Sequence, residues 1–335
     1  MPIGPVSDSH REISVVEPVS PALEHVKRML FKPFDLGKWF VIGFCAWLAR
    51  LGESGGSNFN FGGNNFNNQT SGSSGESLRH GFEEAKDYVL NNLYWIIPVA
   101  ALLIIFCFAL GFLVMWLNSR GKFMFLHCVA LNKADVAEPW RKFATEANSL
   151  FWFRFVLSLV GMALSLPLLI VIAVLIVQMV LRGEPDAAAI MLAVMLAMLF
   201  FLLVIIFALI QKFTADFVVP ILFLRGGKCL NAWNEFWTLL CANAGKFTLY
   251  ILFQIVLGMA IGVIVVLAIL LTCCIAGCLM IIPYIGTVLL LPVFVFQRSY
   301  SLYFLRQFGP AYDVFPPVVP PAPPAGLQPL PGTQL

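Results

Sequence analysis

Charge is what this sequence has least of. Only 12% of its 335 residues are Asp, Glu, Lys or Arg, about half the fraction usual in a water-soluble domain, so the chain as a whole does not read as a soluble enzyme. The net charge of +3, from 21 basic and 18 acidic residues, is too small to point to a nucleic-acid partner. Histidine is scarce: His10, His25, His80 and His127 lie far apart, and HExxH, GxSxG, Walker A and GxGxxG patterns are absent. No polar stretch is long enough for a catalytic domain, and the reading is a non-enzymatic protein with no catalytic residue, cofactor or metal. Paired cysteine motifs are missing too. The eight cysteines at 45, 107, 128, 229, 241, 273, 274 and 278 include no CxxC pair and no small-domain disulfide framework. They are expected mainly as small buried residues. The N-terminal MPIGPVSDSHREISVVEP carries Asp8, His10 and Glu12 where a cleavable signal peptide would place a basic and then an apolar region.

What the sequence does have is hydrocarbon: 60% of residues are apolar or Cys, with 31 Phe and 8 Trp. Uncharged apolar runs cover 36–51, 93–117, 155–181, 187–210, 247–271 and 275–296. The last five are each long enough to cross about 30 Å of hydrocarbon at about 1.5 Å per residue. The first would reach only about 24 Å, though Lys38 and Arg50 can snorkel outward from it while Trp39 and Trp47 suit an interface. Counting it as a span with the N-terminus inside leaves only Arg50, Arg79, Lys86 and Arg182 of the 21 basic residues outside, and the positive-inside rule favours that arrangement. The expected fold is therefore all-α: a polytopic membrane protein with six transmembrane helices, interfacial amphipathic helices and both termini cytoplasmic.

Its segments are expected to be a disordered N-terminus over 1–19, a membrane domain over 20–308 and a disordered Pro-rich tail over 309–335. The external loop 52–76 is Gly/Asn/Ser-rich and includes a formal Asn68-Gln69-Thr70 sequon. Leu78, Phe82, Ala85 and Val89 suggest a short outer surface helix before the second run. Nine prolines between Pro310 and Pro331 prevent helix or sheet in the tail and favour polyproline II.

Three segments preceding spans have amphipathic spacing. Ser20 and Pro21 sit where a cap and first-turn proline belong, with Leu23, Val26, Leu30 and Phe34 on one face and Lys27, Arg28 and Lys32 toward the headgroups. In the second, Asp135 caps a helix ahead of Trp140, Phe143, Ala147 and Leu150. In the third, Trp233, Phe236, Trp237 and Leu240 repeat the pattern. Trp140, Trp233 and Trp237 are thus expected interfacial anchors together with the three basic residues. A shift of 93 residues superposes 93–117 on 186–210 and 155–181 on 248–274, and pairs Trp140 with Trp233, so the chain reads as three copies of an interfacial helix followed by two spans.

Polar groups within the spans are the candidate functional positions. Gln178 lies near the end of its span, and the deeper Gln254 is placed to bond across helices. Gly258 and Gly262 form a small-xxx-small step suited to close helix contact. Lys212 and Asp216, four residues apart, precede Pro220. If the fourth span continues through them they line a polar pathway; if it ends at Ile210 they are an ordinary interfacial pair, which the 93-residue shift favours. Cys273, Cys274 and Cys278 cluster at the last outer turn, where packing is preferred over redox or metal chemistry.

FKPFDLGKWFVIGFCAWLARLGE near the N-terminus and PYIGTVLLLPVFVFQRSYSLYFLRQFGP near the end of the membrane region resemble an uncharacterised group of bacterial multi-pass membrane proteins. Roughly residues 195–300 are also distantly similar to the membrane domain found beside bacterial glycerophosphodiester phosphodiesterases, whose catalytic domain has no counterpart here. The resemblance implies a bacterial inner-membrane protein and carries over no active-site residue. Expected partners are membrane lipids, and proteins reached through the interfacial helices or the tail, with a role in envelope maintenance. A transporter or channel is the alternative, and a lipid-modifying membrane enzyme ranks last.

Overall fold

The computed structural model describes residues 13–52, 92–182, 187–272, 277, 279, 280 and 282–315. Among these the regular elements are all helical. Helix α1 (Val19–Val26) passes through a π turn at Lys27–Phe31 toward α2 (Leu36–Arg50). Then come α3 (Leu93–Leu131), α4 (Ala137–Lys142) and α5 (Ala144–Arg182). Helix α6 (Ala187–Phe213) runs through a second π turn, Thr214–Val218, into α7 (Val219–Arg225), and α8 (Cys229–Ala242) and α9 (Ala244–Leu271) follow. Helices α10 (Pro283–Leu289) and α11 (Leu291–Arg306) end the fold.

Four of these stretches are long and apolar enough to cross a membrane: Tyr94–Leu131, Ala144–Met179, Ala187–Arg225 and Ala244–Leu271. They cover the second to fifth apolar runs except for residues 93, 180 and 181. The first run forms α2, whose 15 residues span about 22 Å. The sixth is divided at Leu290, with Pro283 and Pro292 in the first turns of α10 and α11, where a missing N–H costs nothing.

The long helices are packed at one end and bare along the other. Leu102, Ile104, Ile105 and Phe106 of α3 are exposed, as are Met195 and Met198 of α6 and Ile264 of α9. The opposite ends join α1, α2, α8 and α11 in a core that includes Met29, Ile42, Phe123, Met124, Phe217, Phe236, Phe247, Tyr250, Tyr300 and Phe304.

Helix α2 runs antiparallel to the packed half of α3. A Cβ on Gly52 would meet Val114, and one on Gly121 would lie 2.5 Å from the Ala49 nitrogen. The Cys45 and Cys128 sulfurs are 3.8 Å apart, and Lys38 Nζ donates to Asn132 Oδ1 at 2.8 Å. Gly121 thus lets two backbones touch, while Asp35 starts α2 by accepting from the Gly37 N–H at 2.8 Å.

The amphipathic segments are built into this core. Helix α1 begins at Val19, a residue before the expected Ser20 cap, and packs Ala22, Val26 and Met29 inward against α11; Leu23 and Phe34, expected on the same face, are exposed. Val26 and Leu30, expected on that face, are buried, while Phe34 lies beyond the π turn, where the chain becomes extended at Lys32. Lys27, Arg28 and Lys32 are exposed as expected, with Arg28 paired to Glu24. Asp135 accepts from the Ala137 N–H at 3.0 Å, and Phe143, Ala147 and Leu150 are buried.

Both chain ends of the described region are tied down. Ser14, within the expected disordered N-terminus, donates its N–H to Gln307 Oε1 at 2.7 Å and accepts from Gln307 Nε2 at 2.9 Å, and Tyr300 donates to the Val15 carbonyl. At the start of the expected tail, Asp313 pairs with Arg306 at 2.9 Å and Phe315 stacks on Tyr303. The Gly/Asn/Ser-rich loop beyond Gly52, the outer surface helix, Cys273, Cys274 and Cys278, and the prolines from Pro316 onward lie outside the described residues.

Candidate functional site, a cationic cavity at the membrane junction

A cavity of about 1010 Å³ opens where the bare and packed halves meet, between the end of α2 and helices α3, α5, α6 and α11. Its lining combines apolar side chains, Met115, Phe200, Leu203, Val204, Phe207 and Ala208, with Arg50, Lys122, Arg154, Lys212 and Arg298; Asp216 is the one carboxylate among the described lining residues.

The π turn places Asp216. Pro220 has no N–H to donate to the carbonyl four residues earlier, and the helix widens over Thr214–Val218 instead of ending. Arg298 Nη1 donates to the adjacent Ala215 carbonyl, and Thr214 Oγ1 returns to the Ile210 carbonyl at 2.6 Å. Helix α6 therefore does not stop at Ile210 but runs on past Lys212 into the π turn that holds Asp216. Lys212 Nζ lies 2.9 Å from Asp216 Oδ2. Tyr250 donates to the same carboxylate oxygen at 3.0 Å and accepts from Gln254 Nε2 at 3.0 Å. Gln254 thus reaches α6 through Tyr250, a residue of its own helix, and the candidates Lys212, Asp216 and Gln254 form one polar chain.

Arg154, buried at the start of the apolar part of α5, is held between helices. Its guanidinium donates to Asn118 Oδ1 on α3 and reaches Gln211 Oε1 on α6 at 3.5 Å. Asn118 in turn donates to the Ala49 carbonyl at 2.7 Å and the Leu51 carbonyl at 2.9 Å, which fixes the end of α2 at the cavity rim. The guanidinium of Arg50 lies 4.1 Å from the Phe294 ring centroid.

The other candidates lie apart from this site. Gln178 is exposed on the bare part of α5. Nothing among the described residues lies within 4 Å of a Cβ at Gly258 or Gly262, so the close helix contact expected there is not made. Trp140 packs at 5.8 Å edge to face with Trp116, with Arg120 over both rings. Trp233 sits edge to face on Phe236, and Trp237 is exposed. Burial pushes the Cys229 thiol up to about 12, which leaves it unreactive. Among the described residues no three His, Cys, Asp or Glu side chains converge as a metal site would require.

The sequence reading missed Tyr250, Lys122, Arg154 and Arg298. One signal was available: Asn118 and Gln211 are 93 residues apart, the proposed repeat shift, and both carry amides that meet Arg154.

A family pattern matches residues 13–291, that of the Family of unknown function (DUF7544). The chain belongs to this family. The match takes in α1 to α10 and ends at Leu291, the first residue of α11, so it covers the lining residues of α2, α3, α5 and α6 and stops short of Phe294, Gln297 and Arg298. No curated protein and no solved structure matches the chain.

Proposed function

We propose that this DUF7544 protein is a non-enzymatic, multi-pass protein of the bacterial inner membrane that holds a lipid in the cavity between its bare and packed regions. The observation that carries the reading is the mixed lining: aromatic and aliphatic side chains, most of them on α6, share one space with cationic groups of α2, α3, α5, α6 and α11. A lipid is the membrane component with both chemistries in one molecule. In this reading α2 and the α10–α11 pair complete six spans with both termini cytoplasmic. The interfacial helices and Pro-rich tail serve partner contacts in envelope maintenance, and the likeness to the phosphodiesterase-associated membrane domain extends to lipid handling.

The test is native mass spectrometry of the full chain purified from membranes. Wild type is expected to retain lipid, and Ala208→Trp, which fills the cavity from α6, to lose it; equal retention by both overturns the reading. Reporter fusions within 52–92 and in the tail are expected on opposite sides of the membrane, and finding both on one side overturns the topology. The polar chain from Lys212 to Gln254 supports a second reading, passage of a solute or lipid past Asp216. A flux assay in vesicles separates the two: Asp216→Asn lowers flux in a transporter and leaves it unchanged in a binding protein.

A further inference from the structure

We infer a lipid site outside the cavity, on the seam between α3 and α5, where Trp116, Arg120 and Trp140 receive the phosphodiester of one bilayer phospholipid. It stands independently of the cavity reading. Phe112, Trp116 and Arg120 recur every fourth residue and share one face of α3, a different face from that of Met115 and Lys122, which line the cavity. Along that face the chemistry changes in the order a phospholipid presents it. Phe112, 39% exposed on the bare half, packs edge to face on Phe151 at 4.7 Å and Phe155 at 5.5 Å. One turn on, the half-buried Trp116 donates its indole N–H to Asn148 Oδ1 of α5 at 3.3 Å. One turn further, the Arg120 guanidinium lies 4.8 Å from the Trp116 ring centroid and 4.9 Å from that of Trp140. Its Nη1 donates to the Trp140 carbonyl at 3.0 Å, and its Nε is buried with no hydrogen-bond partner. Among the described residues no carboxylate pairs with Arg120: Asp135 accepts from the Ala137 N–H at the start of α4, and Glu138 is exposed. A guanidinium set between two indole faces and bonded only to a neutral carbonyl keeps its charge, and its Nη2 hydrogens are left for an anionic oxygen. Trp116 and Trp140 meet beside Asn118, where α3 passes from bare to packed, and indoles gather at that level of a bilayer. A phospholipid matches this order, with an acyl chain along the phenylalanines and the phosphodiester at the arginine.

The experiment adds dioleoylphosphatidylglycerol, dioleoylglycerol or inorganic phosphate to the delipidated full chain carrying Ala208→Trp, which fills the cavity, and reads occupancy by native mass spectrometry. One phosphatidylglycerol is expected to stay bound, at least about tenfold over dioleoylglycerol, which has the same chains without the phosphate. Adding Arg120→Gln is expected to lower its retention about tenfold, with part of the loss restored by Arg120→Lys, which keeps the charge but not the planar fork. Trp140→Leu is expected to lower it about fivefold. That variant keeps the backbone carbonyl to which Arg120 bonds, and it decides the matter if Arg120→Gln does not fold. Equal retention of the two lipids, or phosphatidylglycerol held as well after Arg120→Gln or Trp140→Leu, overturns the seam site. Loss of all phosphatidylglycerol in Ala208→Trp alone also overturns it and keeps the cavity reading. In the otherwise native chain, loss of all bound lipid on Arg120→Gln, with none lost on Ala208→Trp, keeps the seam site and overturns the cavity reading. Inorganic phosphate that binds alone and displaces phosphatidylglycerol assigns Arg120 to a free ion and overturns the seam site.

Discussion

The two halves of α3 are one continuous helix with opposite rules. From Tyr94 to Leu113 it is apolar and faces outward, with Leu102 71% exposed, whereas Phe123, Met124 and Leu126 are buried to 1% or less. The packed half is the more polar one and holds Asn118, Ser119, Lys122 and His127 among its buried residues. In water the polarity of the two would be reversed. The apolar half is built for a solvent that offers no hydrogen bonds, where a helix satisfies its own backbone. The other half is built for neighbours: Asn118 donates to the Ala49 and Leu51 carbonyls and accepts from Arg154. Composition therefore tells which solvent a segment meets, and burial tells which protein it meets; along α3 the two change together near Asn118.

The largest effect expected from that contrast is at glycine. Gly121 and Gly111 lie on the same helix, but a Cβ at 121 would sit 2.5 Å from the α2 backbone and one at 111 would meet nothing within 4 Å. Gly121→Leu is expected to cost about 3 kcal/mol or more by prising α2 from α3, read as loss of the folded peak in detergent and a lower Tm. Gly111→Leu should leave stability unchanged or raise it through helix propensity. Equal losses at both positions would remove the distinction between the halves.

Next is a charge placed on the bare half. Ile105 is 69% exposed, and on a water-facing surface Arg there would change stability by less than about 0.5 kcal/mol. Facing hydrocarbon, Ile105→Arg is expected to cost about 3 kcal/mol, measured as impaired membrane insertion of the full chain. Normal insertion would show that this half meets water.

The third is at the boundary. Asp216→Ala removes the acceptor for the buried Tyr250 hydroxyl and the partner of the half-exposed Lys212. A cost of about 2 kcal/mol is expected, most of it from the buried hydroxyl left unsatisfied, because solvent screens the ion pair. Gln178→Ala on the exposed surface of α5 is expected to cost nothing measurable in detergent, and a similar loss at both positions would separate the Asp216 chain from the fold.

What the sequence makes legible follows the same boundary. The second to fifth spans are readable because each is an uncharged run that only a bilayer explains, and Asp135 is readable as a cap because its partners are its own neighbours. The site is harder to read for a physical reason. Arg154, Lys122 and Arg298 stand beside the ends of apolar runs, where a basic residue also serves as a topology marker, and only the contacts among α2, α3, α5, α6 and α11 turn them toward one space. Lys212 and Asp216 were ambiguous because Pro220 ordinarily ends a helix; the π turn that absorbs it depends on tertiary partners such as Arg298.

The smallest effect tests the packed region from its far edge. His25 lies outside the four long apolar helices, on α1, where its Nε2 hydrogen-bonds to the Val129 carbonyl of α3 at 2.9 Å and its ring meets Tyr303 of α11 and Phe315. Burial lowers its pKa below the ordinary 6.5; the hydrogen bond to Val129 opposes this, and the nearby charges of Arg28 and Lys38 add to it. The unfolded chain therefore takes up this proton at a higher pH than the folded one. The contribution of neutral His25 to stability is present above the ordinary value and is lost as pH falls through the lower folded one. Thermal unfolding of the full chain in detergent should show a Tm that falls as pH is lowered below about 6.5, and His25→Gln should flatten that dependence. An unchanged slope in the variant would place the pH sensitivity elsewhere and detach α1 from the region that distinguishes one half of α3 from the other.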